Sequence, residues 1–423
     1  MNKLFALAAV VVLCAGLTAR PVLGEEPIII GIPTSLTALE GKESLRSVEM
    51  AVEEINAKGG VKVGSVKRPL KVEAIDLRDS SPGVPVTEAL LGVEKLITEK
   101  KPTALVVGPF RSEALLASMH IMAKYKMPLL GTIAMSPKSG DLIKQEPEKF
   151  KYIFRVSYNA MYMVKDVSSA LGYMKDQFGF TKIFTMHQDV LWARASADKT
   201  AEVSAAKFGF ERVGNEAYPT GASDFSAGLS KAKSKGAQII LVFFDMPEGG
   251  ILVKQAIAMK IPALIAGSMA PMAGTETWNS FNGKIGGMLN VVYELGNAMA
   301  SDKYPPSKKF YDAYAKKYGV PVQSCHGPAP SYDSVYILAE AIERAGTLDP
   351  EKLAAEIKKT DRVGVIGRIK FDDANQAIYG DDPQKTASSC TFQWTDDGKR
   401  LIVFPASISE GPIKLPEWMK KVK

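Results

Sequence analysis

Short apolar runs alternate with amphipathic segments along most of this chain, and the alternation predicts an α/β fold. PIIIGI (27–32) and QIILVFF (238–244) have the length and composition of buried strands. The segments between such runs carry apolar residues at helical spacing, for example Val48, Val52 and Ile55. Repeated strand–helix units of this length favour parallel sheets that are covered by helices on both faces.

The strand–helix units form two runs, which predict two similar lobes. The runs cover residues 27–150 and 152–290. The whole chain has 423 residues, which is too long for one ordinary hydrophobic core. The last third alternates less regularly, and from the pattern alone its helices and strands can complete either lobe.

The N-terminal residues 1–24 have the pattern of a secretory signal peptide. A basic start is followed by the apolar run 4–19 and by a short cleavage segment before Glu25. The apolar run is shorter than the roughly 20 residues that span a bilayer. Lipid attachment at Cys14 is disfavoured, because the bulky Leu13 stands where a lipoprotein signal has a small residue. We therefore expect a mature protein that begins near Glu25 and works in the periplasm.

The distribution of charge argues against a nucleic-acid partner. The formal net charge is +7, and Lys3 and Arg20 of the leader supply two of these charges. The remaining basic residues are scattered along the chain, as on a solvated surface, and form no basic stripe. We therefore expect a protein that does not bind nucleic acid.

Two cysteines follow the leader, Cys325 and Cys390. In an oxidising compartment such a pair can form one disulfide. Two separate buried thiols are the alternative, and the spacing of the two residues in the sequence does not decide between them.

Motifs of common enzyme classes are missing from the sequence. It has no GxSxG, GxxxxGK[ST], GxGxxG or HExxH segment. The three histidines, His120, His187 and His326, are far apart, and no cluster has the spacing of metal ligands. We therefore expect a protein that is not an enzyme and that has no metal and no cofactor.

Charged and hydroxyl side chains follow one predicted strand at the edge where open α/β sheets bind ligands. Arg111 and Ser112 come after the strand ALVVG (104–108) and before a helix. Ser112 is of a residue type that caps helices, and the free N–H groups of a first helical turn suit a carboxylate. A solvated arginine beside an ordinary cap is the alternative.

Other predicted strands are followed by aromatic, apolar and acidic residues that are further candidates for ligand contact. These candidates are Ala134, Met135, Tyr158, Tyr162, Trp192, Asp245, Ser268 and Met269. An aromatic residue at a strand end is more often packed in the core than in contact with a ligand, so each residue alone is weak evidence for a binding site. Their sum suggests a ligand with an apolar body.

The order and spacing of several segments resemble the leucine/isoleucine/valine-type periplasmic solute-binding proteins of ABC transporters, which are type I periplasmic binding proteins. The matching segments are IIIGIPTSLT…RSVEMAVEEINAKGGV (28–61), VVGPFRSEA (106–114), TGASDFS (220–226), SYDSVYILAEAIERAG (331–346) and GRIKFDD (367–373). The likeness covers essentially the whole mature chain, and no single motif decides it.

The resemblance implies two doubly wound parallel-sheet lobes joined by a hinge of three crossovers. Lobe one would comprise residues 25–154 and 293–361, and lobe two residues 155–292 and 362–423. A small-molecule ligand would be held between the lobes and delivered to an ABC transporter membrane permease. The protein would act as a monomer.

The resemblance also implies roles for residues in lobe one. Ser112 falls where a serine holds the carboxylate of the ligand, and Ala134 and Met135 fall at the next site. Met135 stands where amino-acid binders usually have a hydroxyl-bearing residue, so one hydrogen bond is lost. Glu40 falls at the mouth of the lobe.

In lobe two the pattern departs from amino-acid binders. Ser268 falls where they have the carboxylate that binds the ammonium group, and Asp245, one strand earlier, is the candidate replacement. Trp192 falls where an aromatic residue commonly covers the ligand. The expected ligand is therefore an amino acid or a related small organic acid.

Other functions of the same fold class remain as alternatives. One is a ligand-sensing protein of the same fold that acts on a receptor; if it were the sensory ectodomain of the receptor itself, it would have a transmembrane helix after the domain. A secreted α/β enzyme would have a nucleophile–base pair or a metal cluster. A regulator of the sugar-repressor type would have a DNA-binding helix-turn-helix in place of the leader. The sequence shows none of these features, which favours a binding module that works by hinge closure.

Overall fold

A computed structural model of the chain describes residues 26–415 and residue 419. The predicted signal peptide (1–24) and Cys14 lie outside these residues, so the leader stays a prediction. Within the described part of the chain, no helix is both long and apolar enough to cross a membrane.

The strands are short, and most follow or precede a helix directly. In chain order they are β1 (Ile28–Thr34), β2 (Val61–Val63), β3 (Val66–Arg68), β4 (Leu70–Asp76), β5 (Ala104–Val107), β6 (Leu129–Gly131), β7 (Ile153–Arg155), β8 (Lys182–Gln188), β9 (Glu211–Tyr218), β10 (Ile239–Phe244), β11 (Leu264–Met269), β12 (Leu289–Val292), β13 (Arg362–Gly364), β14 (Gly367–Ile369), β15 (Cys390–Trp394) and β16 (Arg400–Phe404).

The helices range from one turn to about five turns. They are α1 (Leu39–Ala57), α2 (Val86–Lys100), α3 (Ser112–Lys124), α4 (Lys138–Gln145), α5 (Pro147–Phe150), α6 (Ala160–Phe178), α7 (Leu191–Phe208), α8 (Ser226–Ser234), α9 (Gly249–Ala258), α10 (Thr277–Ser280), α11 (Pro305–Tyr318), α12 (Pro328–Ala345) and α13 (Pro350–Lys358). A 3-10 turn, Ala270–Met272, follows β11.

The first part of the chain builds a five-stranded sheet with the order β4-β1-β5-β6-β7. All its strands are parallel, and β1 pairs with β4 from Ile28 opposite Leu70 to Thr34 opposite Asp76. Residues of β5 and β6 are buried throughout, because helices cover both faces of the sheet. We call the part of the molecule built on this sheet lobe one.

The second part builds a four-stranded parallel sheet with the order β11-β10-β8-β9. Its central strand β10, IILVFF, is completely buried, as the unbroken apolar run predicts. A three-stranded antiparallel sheet, β12-β15-β16, lies beside β11. We call the part built on these two sheets lobe two.

The chain passes between the lobes three times. It leaves lobe one after β7 and enters α6, which packs on α7 of lobe two. It leaves lobe two after β12 and enters α11 and α12, and α12 packs on α1 of lobe one. It returns through β13 and β14 to β15. The two-lobed α/β fold with a hinge of three crossovers is thereby confirmed, whereas the residue limits of each lobe stay a prediction.

Candidate functional site

A small cavity lies between the lobes, at the carboxyl ends of both parallel sheets. Its walls are formed by residues of lobe one, of lobe two and of the second crossover. They are Glu40, Phe110, Ile133 and Met135, then Trp192, Asp245 and Ala270, and finally Tyr293, Cys325 and His326. The cavity has a volume of about 20 Å³, which is room for about one water molecule. A ligand therefore needs the side chains or the lobes to move apart.

An ion pair joins the lobes at the edge of this cavity. Arg111 Nη1 lies 2.6 Å from Asp245 Oδ2, and both side chains are largely buried. Trp192 Nε1 donates to the same Asp245 oxygen over 2.8 Å. Burial opposes the charge of Arg111, but Asp245 and Asp79 more than offset this effect and raise its pKa. Arg111 therefore stays charged, and the pair ties the end of β5 in lobe one to the end of β10 in lobe two.

A strained turn places Phe110 and Arg111 at the cleft. Val107, the last residue of β5, has a φ of +74°, and Gly108 follows with +79°. A β-branched residue rarely adopts this left-handed conformation, which costs on the order of 1–3 kcal/mol. The Arg111 backbone N–H then donates to the buried Asp79 carboxylate over 2.9 Å. These features fix the backbone of the turn from which the side chains of Phe110 and Arg111 extend towards the cleft.

Glu40, in the first turn of α1, is a buried carboxyl group that faces the cavity. It is only 5% exposed, and no other residue in the described part of the chain donates a hydrogen bond to its side chain. Burial raises the pKa of the Glu40 carboxyl from 4.5 to about 7, and the nearby Asp245 adds to this shift. Glu40 is therefore poised to change its charge when its surroundings change.

His326 and Glu294 form a buried pair behind the cavity. His326 Nδ1 lies 2.9 Å from Glu294 Oε1, and His326 Nε2 contacts the Ile133 carbonyl oxygen. Burial alone would lower the pKa of His326, but the charge and the hydrogen bond of Glu294 have the larger combined effect and raise the pKa of His326. Glu294 also accepts hydrogen bonds from the backbone N–H of Tyr158 and Gly327, over 2.9 and 3.3 Å. The pair therefore connects the first crossover to the second.

Four of the residues predicted to bind the ligand line the cavity: Glu40, Met135, Trp192 and Asp245. Arg111 lies at its edge, bonded to Asp245. The structure thus brings together candidates from both lobes. This agrees with the strand-end rule, by which ligands bind at the carboxyl ends of parallel strands, and with the resemblance.

Ser112 is placed differently from the prediction. It is the first residue of α3 rather than its N-cap, a position that Arg111 occupies, and its hydroxyl accepts a hydrogen bond from the Ser136 N–H over 3.1 Å. Ser112 therefore holds the loop after β6 and does not line the cavity. Ala134 does not line it either, and its carbonyl oxygen accepts a hydrogen bond from the buried Arg155.

Tyr158, Tyr162, Ser268 and Met269 are buried or half-buried in the packing around the crossovers. Tyr158 stacks on Tyr293 with ring centroids 5.6 Å apart and tilts against Tyr162. Ser268 shares a short hydrogen bond with Tyr293, and the Met269 N–H donates to the Asn290 side chain. None of the four lines the cavity, so their contact with a ligand stays a prediction.

Six lining residues were not predicted: Phe110, Ile133, Ala270, Tyr293, Cys325 and His326. Phe110 directly precedes the predicted site residue Arg111, and Ile133 directly precedes Ala134. Both follow predicted strands, so the expectation that ligands bind at the carboxyl ends of strands comes close to identifying them. Tyr293, Cys325 and His326 belong to a crossover, and no local pattern places that segment at the cleft.

The two cysteines that the structure describes are both free and buried, so the disulfide alternative is not realised. Cys325 lines the cleft cavity, whereas Cys390 begins β15. Burial raises the pKa of both thiols well above the usual range, which keeps them protonated and poorly nucleophilic. In the described part of the chain, no group of three or more His, Cys, Asp or Glu side chains has the arrangement of a metal site.

We expect neither Cys325 nor Cys390 to react with Ellman's reagent in the folded protein, because both thiols are inaccessible and protonated. Unfolding in guanidinium without a reductant should make both thiols react. Protein that gains reactive thiols only after reduction would show that the two are joined after all.

Comparisons with known proteins agree with this architecture. A sequence model for a family described as periplasmic binding protein matches residues 29–392. A Leu/Ile/Val-binding protein homolog 7 of Brucella suis biovar 1 is 24% identical over 396 residues, which cover 90% of this chain and 91% of that protein. A Leu/Ile/Val-binding protein homolog 8 of Brucella abortus is 24% identical over 386 residues and covers 87% of each chain.

Solved structures share the fold over nearly the whole chain. The branched-chain amino acid transporter substrate-binding protein LivJ from Streptococcus pneumoniae, in complex with isoleucine, superposes with a TM-score of 0.71. It is 25% identical, and the match covers 90% of this chain and all of that one. A solute-binding protein of an ABC transporter from R. palustris, in complex with benzoate, has a TM-score of 0.69, 16% identity and 93% and 98% coverage. Since the family match spans most of the sequence and the paired sheets enclose a cavity at their hinge, the chain belongs to the periplasmic binding protein family.

Proposed function

We propose that this chain is an extracytoplasmic solute-binding protein. It captures an amino acid or a related small organic acid between its lobes and delivers it to the membrane permease of an ABC transporter. The observation that carries the proposal is the cavity lined by both lobes and bridged by the Arg111–Asp245 ion pair. The names of the Brucella and Streptococcus relatives support the solute class and the transporter.

Binding is proposed to work by closure of the hinge. A ligand that contacts both lobes at once binds the closed form more tightly than the open form, and so shifts the population towards it. The Arg111–Asp245 pair and the hydrogen bond from the Leu191 N–H to Glu113 Oε1, 3.1 Å long, add contacts that exist only in the closed form. A permease can then distinguish the two forms by shape.

The proposal includes a periplasmic location and a monomeric protein without catalytic activity. The leader pattern of residues 1–24 supports export. The family match supports a binding role, because periplasmic binding proteins hold a solute without transforming it.

A thermal-shift screen of the purified protein tests the proposal. Amino acids, aromatic acids, short dicarboxylates and amides are the first compounds to screen. A ligand present at 100 times its dissociation constant adds about 2.7 kcal/mol to the stability of the native state. Failure of every compound to raise the melting temperature would count against solute capture.

Arg111→Gln is expected to weaken the binding of the tightest solute from this screen at least tenfold, or about 1.4 kcal/mol. The variant leaves Asp245 without its charged partner and so disfavours the closed form that holds the ligand. Isothermal titration calorimetry measures the change.

Arg194→Gln is the matched control for Arg111→Gln. Arg194 pairs with Asp189 at 2.6 Å, but both side chains are about half exposed, so this pair contributes little. The control should bind as the wild type does. Equal affinities of the two variants would remove the cross-lobe pair from the closure mechanism.

A further inference from the structure

The charges around the cleft cavity do not balance. The cations nearest to it are Arg111, which is paired with Asp245, and His326, which is paired with Glu294. Glu40 lines the same cavity and has no such partner in the described part of the chain. Its carboxyl group is therefore the one acidic group of the cavity wall that is left for a ligand.

The energetic cost of burying Glu40 argues against an incidental role for this side chain. Removing a carboxylate from water without a compensating partner costs several kcal/mol, and such a group usually becomes protonated instead. The raised pKa of Glu40 reports this cost. Buried titratable groups in a cleft whose pKa is strongly perturbed are concentrated at functional sites.

The side chains that could bind a ligand carboxylate already form hydrogen bonds with other residues. The Ser112 hydroxyl accepts a hydrogen bond from the Ser136 N–H, and Arg111 is bonded to Asp245 and to the Ser80 carbonyl oxygen. Neither Ser112 nor Arg111 lines the cavity. The wall is thus better equipped to receive a positive charge than a negative one.

Three aromatic side chains line the cavity beside the carboxylates: Phe110, Trp192 and Tyr293. Tyr293 is held between Tyr158 and the His326 ring, with centroid distances of 5.6 and 4.8 Å. The faces of aromatic rings attract cations, most strongly where water is excluded. The Arg111 guanidinium already lies 5.1 Å from the centroid of the Phe110 ring, so this aromatic wall holds one cation. A free carboxyl group beside such a wall favours an organic cation as the ligand.

We propose that the ligand carries a positively charged nitrogen group, an amine or an alkylammonium, which binds Glu40 of lobe one among Phe110, Trp192 and Tyr293. The inference rests on the proposed function and narrows its solute class. Free amino acids and other amines meet the requirement, whereas solutes that carry only a carboxylate do not. The cation is received by lobe one, and the Asp245 carboxylate of lobe two stays with Arg111.

Matched probes test the charge requirement on the full chain. Isoamylamine, isocaproate and isoamyl alcohol share one hydrocarbon body and differ in charge, and phenethylamine, phenylacetate and phenethyl alcohol form a second such set. Choline and tetramethylammonium extend the series to alkylammonium ions. We expect thermal shifts from amines or alkylammonium ions and none from the matched carboxylates and alcohols.

Glu40→Gln and Glu49→Gln separate the proposed contact from a general loss of negative charge. Both residues lie on α1, but Glu49 does not line the cavity. By calorimetry, we expect Glu40→Gln to weaken the best cationic probe at least tenfold and Glu49→Gln to leave its affinity unchanged. Melting curves without probe confirm that both variants are folded.

The possible outcomes distinguish a failure of the proposed role of Glu40 from a failure of solute capture itself. Binding of carboxylates or alcohols alone, or full affinity of Glu40→Gln for the amine, would overturn the role of Glu40 and leave solute capture intact. If no probe in this series and no compound in the wider screen shifts the melting temperature, solute capture by this cavity is rejected and the Glu40 assignment falls with it.

Discussion

Glu294→Ala is expected to lower the free energy of unfolding by about 3–5 kcal/mol, because it leaves a buried charge and several buried donors without a partner. Glu294 is completely buried and is paired with His326 at 2.9 Å. It also accepts hydrogen bonds from the Tyr158 and Gly327 N–H groups and, over 2.7 Å, from the Asn297 side chain. Urea unfolding followed by circular dichroism measures the loss.

Two further variants show whether the loss of stability in Glu294→Ala is specific to this buried group. Glu276→Ala removes an exposed glutamate that lies before β12 and should change stability by less than about 0.5 kcal/mol. Glu294→Gln keeps the shape and most acceptors, and it should fall between the alanine variant and the wild type. A loss below about 1 kcal/mol in Glu294→Ala would mean that the crossovers do not depend on this group.

The main strands and helices could be predicted from the sequence, because their patterns are local and strong. Helix α6 (Ala160–Phe178) has clear local signals at both ends, because the Asn159 side chain accepts N–H bonds of its first turn and Gly179 ends the helix in a left-handed conformation. The strand predicted over 238–244 is found at Ile239–Phe244. An unbroken apolar run between turn residues leaves few alternatives.

Elements without such a pattern were not predicted. The hairpin of β2 and β3 is mostly exposed and is only three residues long on each side. The strand β12 pairs with β15 about a hundred residues later, from Leu289 opposite Gln393 to Val292 opposite Cys390. Such a pairing is decided by tertiary contacts, which single-sequence patterns do not contain.

The site shows the same division between local and assembled features. Trp192 and Asp245 follow predicted strands, so the strand-end rule finds them, and the resemblance adds Glu40. Cys325 and His326 reach the cavity only because a crossover passes behind it. Ser112 shows the opposite case, since its residue type suggested a ligand contact but its hydroxyl is used to hold a neighbouring loop.

The Glu40 carboxyl should make the stability of the protein depend on pH in a predictable direction. Its pKa is about 7 in the folded protein against an ordinary value of 4.5, so the folded state holds this proton more tightly than the unfolded state does. Burial is the main cause of this raised pKa and Asp245 and Glu43 add to it, whereas the backbone N–H of Glu40 and His326 lower the pKa. The stabilising contribution is complete below pH 4.5 and is lost as the pH rises through 7.

Glu40→Gln is therefore expected to be as stable as the wild type near pH 4 and more stable than it by about 3 kcal/mol near pH 8. Glutamine keeps the size of the side chain but carries no charge to desolvate, and titrating groups that do not interact with Glu40 cancel in the difference between the two proteins. Urea unfolding at a series of pH values gives this difference directly. Glu88→Gln, at an exposed site on α2, reports the effect of removing a surface charge. A stability difference between Glu40→Gln and the wild type that stays constant from pH 4 to 8 would show that the Glu40 carboxyl is not buried without a partner, and the charge argument for a cationic ligand would lose its basis.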